Sequence, residues 1–212
     1  SAMVGCAPEG GQPQRQPPHG HPYTPRMRKR HLLIEILQTV ALTVIAYYLL
    51  MTFVTQPFRV EQTSMQNSFQ PGEYVMVDKI TPRITGFHRG DVVIFRPPES
   101  WPSSSDGTPY IKRVIGLPGE TIVLGPEGLT VDGTKVDEPY VYREGGSDVE
   151  ELTSWTLGPD EILVFGDHRS NSSDSRAFGP IPSSSVIGRA FVRYFPLDQM
   201  SVVVPPEYPS VP

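Results

Sequence analysis

The pattern of apolar and polar residues first singles out one long apolar run near the N-terminal end of the chain. The run extends from Ile36 to Val54 without a charged residue, with Glu35 at its start and Gln38 as its strongly polar member. As an α-helix with a rise of about 1.5 Å per residue, it would extend over roughly 28 Å, close to the thickness of a bilayer core. We therefore predict a transmembrane helix at residues 31–54.

Two other interpretations of this run stay open. One is a buried helix of a soluble domain, and the other is the hydrophobic region of a signal peptide that is later removed. The run is longer than the usual hydrophobic region of a signal peptide, and no small-residue cleavage site follows it. Both observations favour a retained membrane anchor.

Beyond Phe58 the pattern changes to short β-like runs that Gly and Pro interrupt. No fixed spacing repeats, which argues against a solenoid or a propeller, and no convincing amphipathic helix separates the runs. The pattern predicts a mostly β fold, an antiparallel sheet or barrel-like domain, over residues 55–204. The predicted strands are Tyr74–Val77, Asp91–Phe95, Tyr110–Ile115, Thr121–Leu124, Glu161–Phe165 and Val186–Phe195.

The two ends of the chain differ from the rest in composition. Residues 1–30 contain much Gly, Pro, Gln and His before a basic cluster, and we predict a disordered basic segment there. Residues 205–212 are a Pro-rich tail, which we expect to be loose. Cys6 is the only cysteine, so the sequence excludes an internal disulfide and a Cys-based zinc site, and it assigns no role to this thiol.

The net charge of −5 conceals an uneven distribution of charge. Basic residues cluster between Arg26 and Arg30, directly before the apolar run, whereas residues 55–212 are acidic. An acidic main domain argues against nucleic acid as a partner, because nucleic-acid binding requires a basic surface. By the positive-inside rule, the basic cluster places the N-terminus in the cytoplasm and the domain after Thr55 outside the plasma membrane.

Lys112 is a candidate general base. It lies beside Arg113 in the predicted strand Tyr110–Ile115, whose two faces are both partly apolar, so we expect one of the two cations among apolar neighbours. A free lysine with a pKa near ~10.4 is protonated at neutral pH, but desolvation lowers that pKa, and the neutral amine accepts a proton from a serine hydroxyl. Arginine stays protonated and cannot take this role. The alternative is a solvent-facing lysine on an edge strand.

Two further features have both a chemical and a plain interpretation. Ser64 is a possible nucleophile, although most serines are surface or turn residues. Residues 166–176 form the densest polar cluster in the chain directly after an apolar strand, either as a structured site loop or as an exposed polar loop. The sequence contains neither the His spacing of a zinc site nor a Gly-rich phosphate motif. We therefore expect no metal and no cofactor.

Four blocks of the sequence, in order behind the predicted anchor, resemble the type I signal peptidase family, the bacterial leader peptidases. The blocks are Ser64-Met65 and residues 89–95, 110–120 and 166–176. The resemblance covers about residues 38–195. One block alone would be a weak signal, but four in this order are highly specific.

This resemblance implies a membrane-bound serine endopeptidase with a Ser–Lys dyad. Its members have an antiparallel β scaffold, need no metal, and cleave signal peptides from exported preproteins after small residues in an Ala-x-Ala pattern. The implied partners are signal-peptide-bearing preproteins and membrane lipid, whereas the oligomeric state is not predicted. The implied roles are nucleophile for Ser64, general base for Lys112, orientation of the lysine amine for Ser172, a supporting ion pair for Asp174 with Arg176, and part of the site wall for Asp167 with Gly166.

The chain departs from the family pattern near these residues. Asn67, Ser68 and Phe69 replace the usual Pro-Thr-Leu, Gln62 stands where some members have a serine that donates to the oxyanion hole, and His168 replaces the usual Asn. Loss of one oxyanion donor costs about 10²–10³ in rate. A catalytically silent membrane-anchored relative, acting as a binding or scaffold protein, therefore stays an alternative. A second alternative is a self-cleaving Ser–Lys protease of the SOS-repressor type, which usually has a DNA-binding module and no transmembrane run.

Overall fold

A computed structural model of the protein describes residues 25–101, 107–144 and 151–208. The predictions for residues 1–24, with Cys6 among them, and for residues 209–212 lie outside these ranges.

The N-terminal part of the described chain is one long helix. Helix α1 (Pro25–Leu49) continues into a π-helical turn at Leu50–Val54. Residues Arg30–Val54 are long and apolar enough to cross a membrane, judged by length and composition alone. The helix begins at Pro25, before the predicted boundary at residue 31, because proline fits the first turn of a helix, where its missing N–H leaves no hydrogen bond unmade.

Residues from Ala46 onward form a compact unit of their own. Its described part contains two short α-helices, α2 (Thr81–Thr85) and α3 (Ser175–Phe178), and 3₁₀ turns at Thr63–Met65, Arg169–Asn171, Ser183–Ser185 and Leu197–Gln199. The strands are β1 (Thr55–Arg59), β2 (Tyr74–Asp78), β3 (Val92–Phe95), β4 (Tyr110–Gly116), β5 (Thr121–Gly125), β6 (Gly128–Val131), β7 (Thr134–Val136), β8 (Thr153–Thr156), β9 (Glu161–Phe165), β10 (Ile181–Pro182), β11 (Val186–Phe195) and β12 (Ser201–Val202).

The larger sheet is antiparallel and has the strand order β1-β2-β11-β3-β4-β9-β10, with β12 paired to β11. It is curled into a half-barrel. Strand β11 lies between β2 and β3, although it comes late in the chain. Its register against β2 shifts between Ala190 and Val192 and again between Arg193 and Phe195, and such irregularities bend a strand and increase its twist.

The smaller sheet has the order β7-β6-β5-β8 and is also antiparallel. Asp132 and Gly133 connect β6 to β7, and both have positive φ angles, of 47° and 80°. This Asp-Gly pair suits a two-residue hairpin, whose backbone twist requires positive φ at both positions.

Alternate residues of β3 face different cores because strand side chains alternate in direction. Val92 and Ile94 pack in a core that contains Met65, whereas Val93 and Phe95 pack in a core around Trp101. A third core lies between the ends of β4 and β9 and the smaller sheet, and includes Ile115, Ile122, Leu124, Leu129, Leu163 and Phe165.

The predicted mostly β, antiparallel fold with one N-terminal apolar helix is confirmed. All six predicted strands are present, and their ends differ by at most one residue from the prediction. The structure differs at the tail, where Tyr208 packs against the third core and its hydroxyl donates to the Tyr140 hydroxyl at 3.2 Å. Proline richness alone therefore did not reveal that the described part of the tail is packed.

Candidate active site

Ser64 lies on the 3₁₀ turn Thr63–Met65, in the connection between β1 and β2. The next residue, Met65, is fully buried in the core and ties the turn to it. Ser64 is 4% exposed, and its carbonyl accepts a hydrogen bond from the backbone N–H of His168 at 3.0 Å. The core on one side and the polar segment after β9 on the other therefore fix this serine.

Lys112 comes from an inner strand of the large sheet and reaches Ser64. It is 0% exposed. Its Nζ lies 2.6 Å from Ser64 Oγ and 3.1 Å from the carbonyl oxygen of Ile111. The same Nζ lies 5.2 Å from the centroid of the Tyr110 ring. The structure thus brings the two predicted residues together, in a place that water does not reach.

Both cations of β4 are buried, which corrects the expectation that one of them would be. Arg113 is 4% exposed and lies next to the fully buried Lys112. The solvent-facing position that we considered for Lys112 is wrong, because its side chain is 0% exposed, although the pairing of β4 with β9 begins only at Arg113. Sequence alternation alone could not reveal that a second element covers each face.

Burial lowers the pKa of Lys112 to about 8 from an ordinary value of 10.5. Desolvation, the largest cause, disfavours the charged ammonium, and the positive charge of Arg176 acts in the same direction. The carboxylates of Asp174 and Asp167 oppose this shift. A substantial share of the amine is therefore neutral near pH 8, and a neutral Nζ accepts the Ser64 hydroxyl proton across the observed contact.

Asp174 and Arg176 form the predicted ion pair at the start of α3. Arg176 Nη2 and Nε donate to the two oxygens of Asp174, both at 2.9 Å. The Asp174 carboxylate also accepts from the backbone N–H of Gly166 at 2.9 Å and caps α3 at the Arg176 N–H. Burial by itself raises the pKa of Asp174, but Arg176, the Gly166 N–H and the Ser172 hydroxyl hold it below its ordinary value.

Ser172 lies beside the dyad with its hydroxyl buried. A Cβ atom placed on Gly166 would come within 2.5 Å of the Ser64 carbonyl oxygen and closer still to Ser172 Oγ, so this glycine allows the three segments to meet. Ser172 Oγ has no hydrogen-bond partner of ordinary geometry among the described residues, although it lies near enough to Asp174 to lower the pKa of that carboxyl.

Asp167 is hydrogen-bonded to both Arg113 and Ser68. Its two oxygens accept from Arg113 Nε at 2.8 Å and from Arg113 Nη2 at 2.6 Å, and the Ser68 hydroxyl donates to it at 2.5 Å. Burial would lower the pKa of Arg113, but the hydrogen bonds and the charge of Asp167 raise it. Arg113 and Ser68 were not predicted as site residues. The signal for Ser68 was its place, with a hydroxyl, directly behind the nucleophile block.

The loop at residues 137–144, before β8, is hydrogen-bonded to the same region and was not predicted as part of the site. The backbone N–H of Tyr142 donates to the Asp167 carbonyl at 2.8 Å, and the Arg169 N–H donates to the Tyr142 carbonyl at 3.0 Å. The Arg169 guanidinium forms a double contact with the Glu138 carboxylate. No local pattern in this loop pointed to the site, since its contacts are all made by residues distant in sequence.

His168, which the sequence marked as a departure from the family pattern, follows Asp167 directly. It is 2% exposed, and its ring packs against Tyr142 with a centroid distance of 4.9 Å. Its Nε2 lies 3.9 Å from a carboxylate oxygen of Glu144, and within the described residues neither ring nitrogen has a hydrogen-bond partner. Its backbone, rather than its ring, contacts the nucleophile segment.

A cleft of about 310 Å³ is lined by residues close in sequence to the two candidate residues, although neither Ser64 nor Lys112 lines it. One wall is the segment Pro57–Gln62, the other is Thr108–Ile111, and Val75 and Ile94 complete the lining. Gln62, two residues before Ser64, is exposed and lines this cleft. Two larger cavities, of about 440 and 480 Å³, are likewise lined by neither Ser64 nor Lys112.

Known proteins match most of the chain. The family model described as "Signal peptidase, peptidase S26" matches residues 33–195. Signal peptidase I of Leptolyngbya laminosa is 30% identical over 207 residues, which cover 93% of this chain and 97% of that protein. Signal peptidase IB of Staphylococcus aureus (strain MRSA252) is 30% identical over 190 residues, with 82% and 96% covered.

A solved structure also matches part of the chain. The crystal structure of a signal peptidase I from Enterococcus faecalis V583 is 27% identical, with a TM-score of 0.42, and covers 50% of this chain and 97% of that one. The family match and the curated relatives decide the assignment. The chain belongs to the signal peptidase family, peptidase S26.

Proposed function

We propose that this chain is a membrane-anchored serine endopeptidase that removes signal peptides from exported preproteins by means of a Ser–Lys dyad. The observation that carries the proposal is the 2.6 Å contact between Lys112 Nζ and Ser64 Oγ, made by a fully buried lysine. Family membership supports peptidase activity on signal peptides. The rival, a catalytically silent relative, gives no reason for burying an amine against a hydroxyl.

The proposed cycle begins with neutral Lys112. Its Nζ takes the Ser64 proton while Oγ bonds to the scissile carbonyl carbon, and the ammonium then donates that proton to the leaving amine as the C–N bond breaks. Water, activated by the same amine, cleaves the resulting ester and restores the Ser64 hydroxyl. One residue thus acts as base and acid in turn, which requires a pKa near the working pH.

The surrounding residues hold the dyad in place. The Ser64 backbone N–H is the proposed oxyanion donor, with Gln62 as the candidate for a second donor from the cleft wall. We assign orientation of the lysine amine to Ser172, whose buried Oγ makes no hydrogen bond within the described residues and is thus available to Nζ. The ion pair of Asp174 with Arg176 holds the segment that carries this serine. Asp167, through Arg113 and Ser68, fixes the turn behind the nucleophile.

The cleft fits an extended substrate. On one side Tyr110–Lys112 pairs with β3, whereas the β9 register begins only at Arg113, so this stretch of β4 offers backbone groups to an added strand. The cleft is small and contains apolar residues such as Val75 and Ile94. Both features support a peptide bound as a strand with small side chains, as in the Ala-x-Ala pattern.

The long N-terminal helix supports the proposed location. Arg30–Val54 serves as a single membrane anchor, and the basic residues before it keep the N-terminus in the cytoplasm. The peptidase domain then lies outside the plasma membrane, where the signal peptides of translocated preproteins and the membrane lipid are its partners.

The decisive experiment is cleavage of a preprotein in detergent. We expect the wild type to cut at an Ala-x-Ala junction and Ser64→Ala to be slower by at least about 10⁴-fold, because no other group supplies the nucleophile. Cleavage is followed by gel, and the junction is identified by N-terminal sequencing.

Two controls sharpen this experiment. Ser184→Ala, at an exposed serine away from the dyad, should cut at the wild-type rate. A preprotein with Phe directly before the junction should resist cleavage. An inert wild type would favour the silent relative, and cleavage by Ser64→Ala would show that the nucleophile is misassigned.

The pH dependence of cleavage tests the base. Since Lys112 must be neutral to accept a proton and its pKa is about 8, kcat/KM should fall about tenfold per pH unit below that value and level off above it. The measurement is kcat/KM across the range in which the protein stays folded. A profile that is flat through pH 8 would exclude Lys112 as the base.

A further inference from the structure

The four residues that follow the nucleophile form a type II turn. Gln66 has φ −56° and ψ 140°, Asn67 has φ 94°, and the Ser68 N–H donates to the Met65 carbonyl at 3.1 Å. A type II turn requires positive φ at its third residue, a conformation that Asn tolerates better than other residues with a side chain, apart from Asp and His. Among the described residues other than glycine, only Asn67 and Asp132 have positive φ.

The side chain of Asn67 fastens this turn to the loop at residues 137–144. Its Nδ2 donates to the carbonyl of Tyr140 at 3.0 Å, across a separation of 73 residues. Tyr140 is a fixed acceptor, because its ring stacks on the Arg113 guanidinium at 4.1 Å and its hydroxyl donates to Glu138 at 3.0 Å. The amide thus joins the turn to a residue that is itself held at both ends.

The turn and the nucleophile share Met65. This residue ends the 3₁₀ turn that carries Ser64 and also begins the type II turn, so a shift of one turn moves the other. On the other side of Asn67, Ser68 bonds to Asp167. We infer that Asn67 is a positioning residue, which holds Ser64 in line with Lys112 by its positive φ and by its bond to Tyr140. The inference rests on the proposed function, since it assumes that Ser64 is the nucleophile.

A proline at position 67 would form neither the observed turn nor the Tyr140 bond, because proline is restricted to φ near −65° and has no side-chain donor. The position therefore depends on a hydrogen bond to another segment. A shift of about 1 Å in a reacting group is enough to lower a rate about 10²-fold, which makes such a bond relevant to catalysis.

Three variants separate the two contributions of Asn67. Asn67→Gly keeps positive φ and removes the amide, and it should lower kcat roughly five- to tenfold, the worth of one hydrogen bond, with KM unchanged. Asn67→Ala also strains the backbone and should lose more. Asn67→Asp, whose carboxylate would face the Tyr140 carbonyl, should lose at least as much as Asn67→Gly, roughly tenfold, since water solvates the new charge at this exposed position. The cleft walls at residues 57–62 and 108–111 are untouched, which is why KM should stay constant.

Asp132→Ala is the matched control. Asp132 also has positive φ, and it accepts a hydrogen bond from the Thr121 N–H at 2.8 Å in a hairpin of the smaller sheet. Like Asn67→Ala, it should lower the melting temperature, but it should leave kcat at the wild-type value. If Asn67→Gly retains kcat within twofold of the wild type, or if its loss appears in KM, the inference is overturned.

Hydrogen exchange distinguishes a failure of the inference about Asn67 from a failure of the proposed function. Amide exchange of a peptide covering residues 64–70 should be faster in Asn67→Gly than in the wild type, whether or not the protein cleaves a preprotein. If the wild type is inert, the proposed function fails, and unchanged exchange would in addition overturn the role of Asn67 in fixing the turn. If the wild type cleaves and exchange and kcat are both unchanged in Asn67→Gly, only the present inference fails.

Discussion

A Lys112→Met variant is expected to lose cleavage by about 10⁴–10⁶-fold and yet to be more stable than the wild type. The loss follows because methionine has no basic group to take the Ser64 proton. The gain in stability follows because the flexible apolar side chain of methionine fills similar space without a charge to desolvate. Function and stability are thus expected to move in opposite directions at one position.

The expected gain in stability of Lys112→Met, and its dependence on pH, follow from the pKa of Lys112. Burial lowers it from 10.5 to about 8, and at about 1.4 kcal/mol per pH unit this difference makes the net cost of the buried ammonium at neutral pH on the order of 3–4 kcal/mol. Between these values the unfolded chain binds more protons than the folded one, so the stability of the wild type rises as pH rises through this window. The advantage of the variant should therefore be full below about pH 8 and shrink toward pH 10.5.

Thermal unfolding of both proteins at neutral and alkaline pH checks this expectation. Lys135→Met, at an exposed position on β7, is the matched control, and because water screens the contacts of an exposed lysine it should change stability by less than about 1 kcal/mol at either pH. A Lys112→Met variant that is less stable than the wild type at neutral pH would contradict the view that the amine is held at an electrostatic cost.

An Asp167→Asn variant is expected to lose both stability and activity. The substitution keeps the size of the side chain but removes the charge opposite Arg113, and a buried cation left without its partner costs about 3–5 kcal/mol. The Ser68 hydroxyl also loses its anionic acceptor, so the turn behind Ser64 is loosened. Chemical denaturation gives the change in free energy of unfolding, and cleavage kinetics give the change in kcat.

Glu73→Gln provides a comparison at an ion pair that is less buried. Glu73 pairs with Arg193 at 3.2 Å, but the arginine side chain is 21% exposed, so water compensates part of the lost charge. This variant should cost clearly less stability and leave the dyad intact. Equal losses for the two variants would show that burial of Arg113 does not decide the energy of its ion pair.

The sequence revealed six of the twelve described strands, because their patterns are local. Runs such as Glu161–Phe165 and Val186–Phe195 contain enough apolar residues to be recognised alone, and the observed bounds agree with the prediction. The strands that were not predicted are β1, β6, β7, β8, β10 and β12, most of which have only two to four residues and so carry too little pattern. The pairing of the strands could not be predicted, because it depends on contacts between distant segments.

The residues of the site likewise divide into those that local sequence predicts and those that only the fold brings together. The family blocks contained Ser64 and Lys112, and the structure brings these residues into contact. The ion pair of Arg113 with Asp167 joins residues 54 positions apart, and no spacing rule predicts such a pair. Asn67 was noted only as a departure from the family, since its side chain makes its hydrogen bond to the carbonyl of Tyr140, 73 residues away.

The place of β11 in the sheet has a consequence for the order in which the protein is made. Ser64 follows β1 and precedes β2, Lys112 belongs to the pair β3–β4, and in the strand order of the described sheet β11 joins these two pairs. Until residues 186–195 have been synthesised, β2 and β3 both present unpaired edges, the kind of surface that associates with other chains. Ser64 and its proposed base Lys112 are therefore expected to meet late, and we expect the newly made chain to be inactive as well as prone to aggregation until this strand inserts.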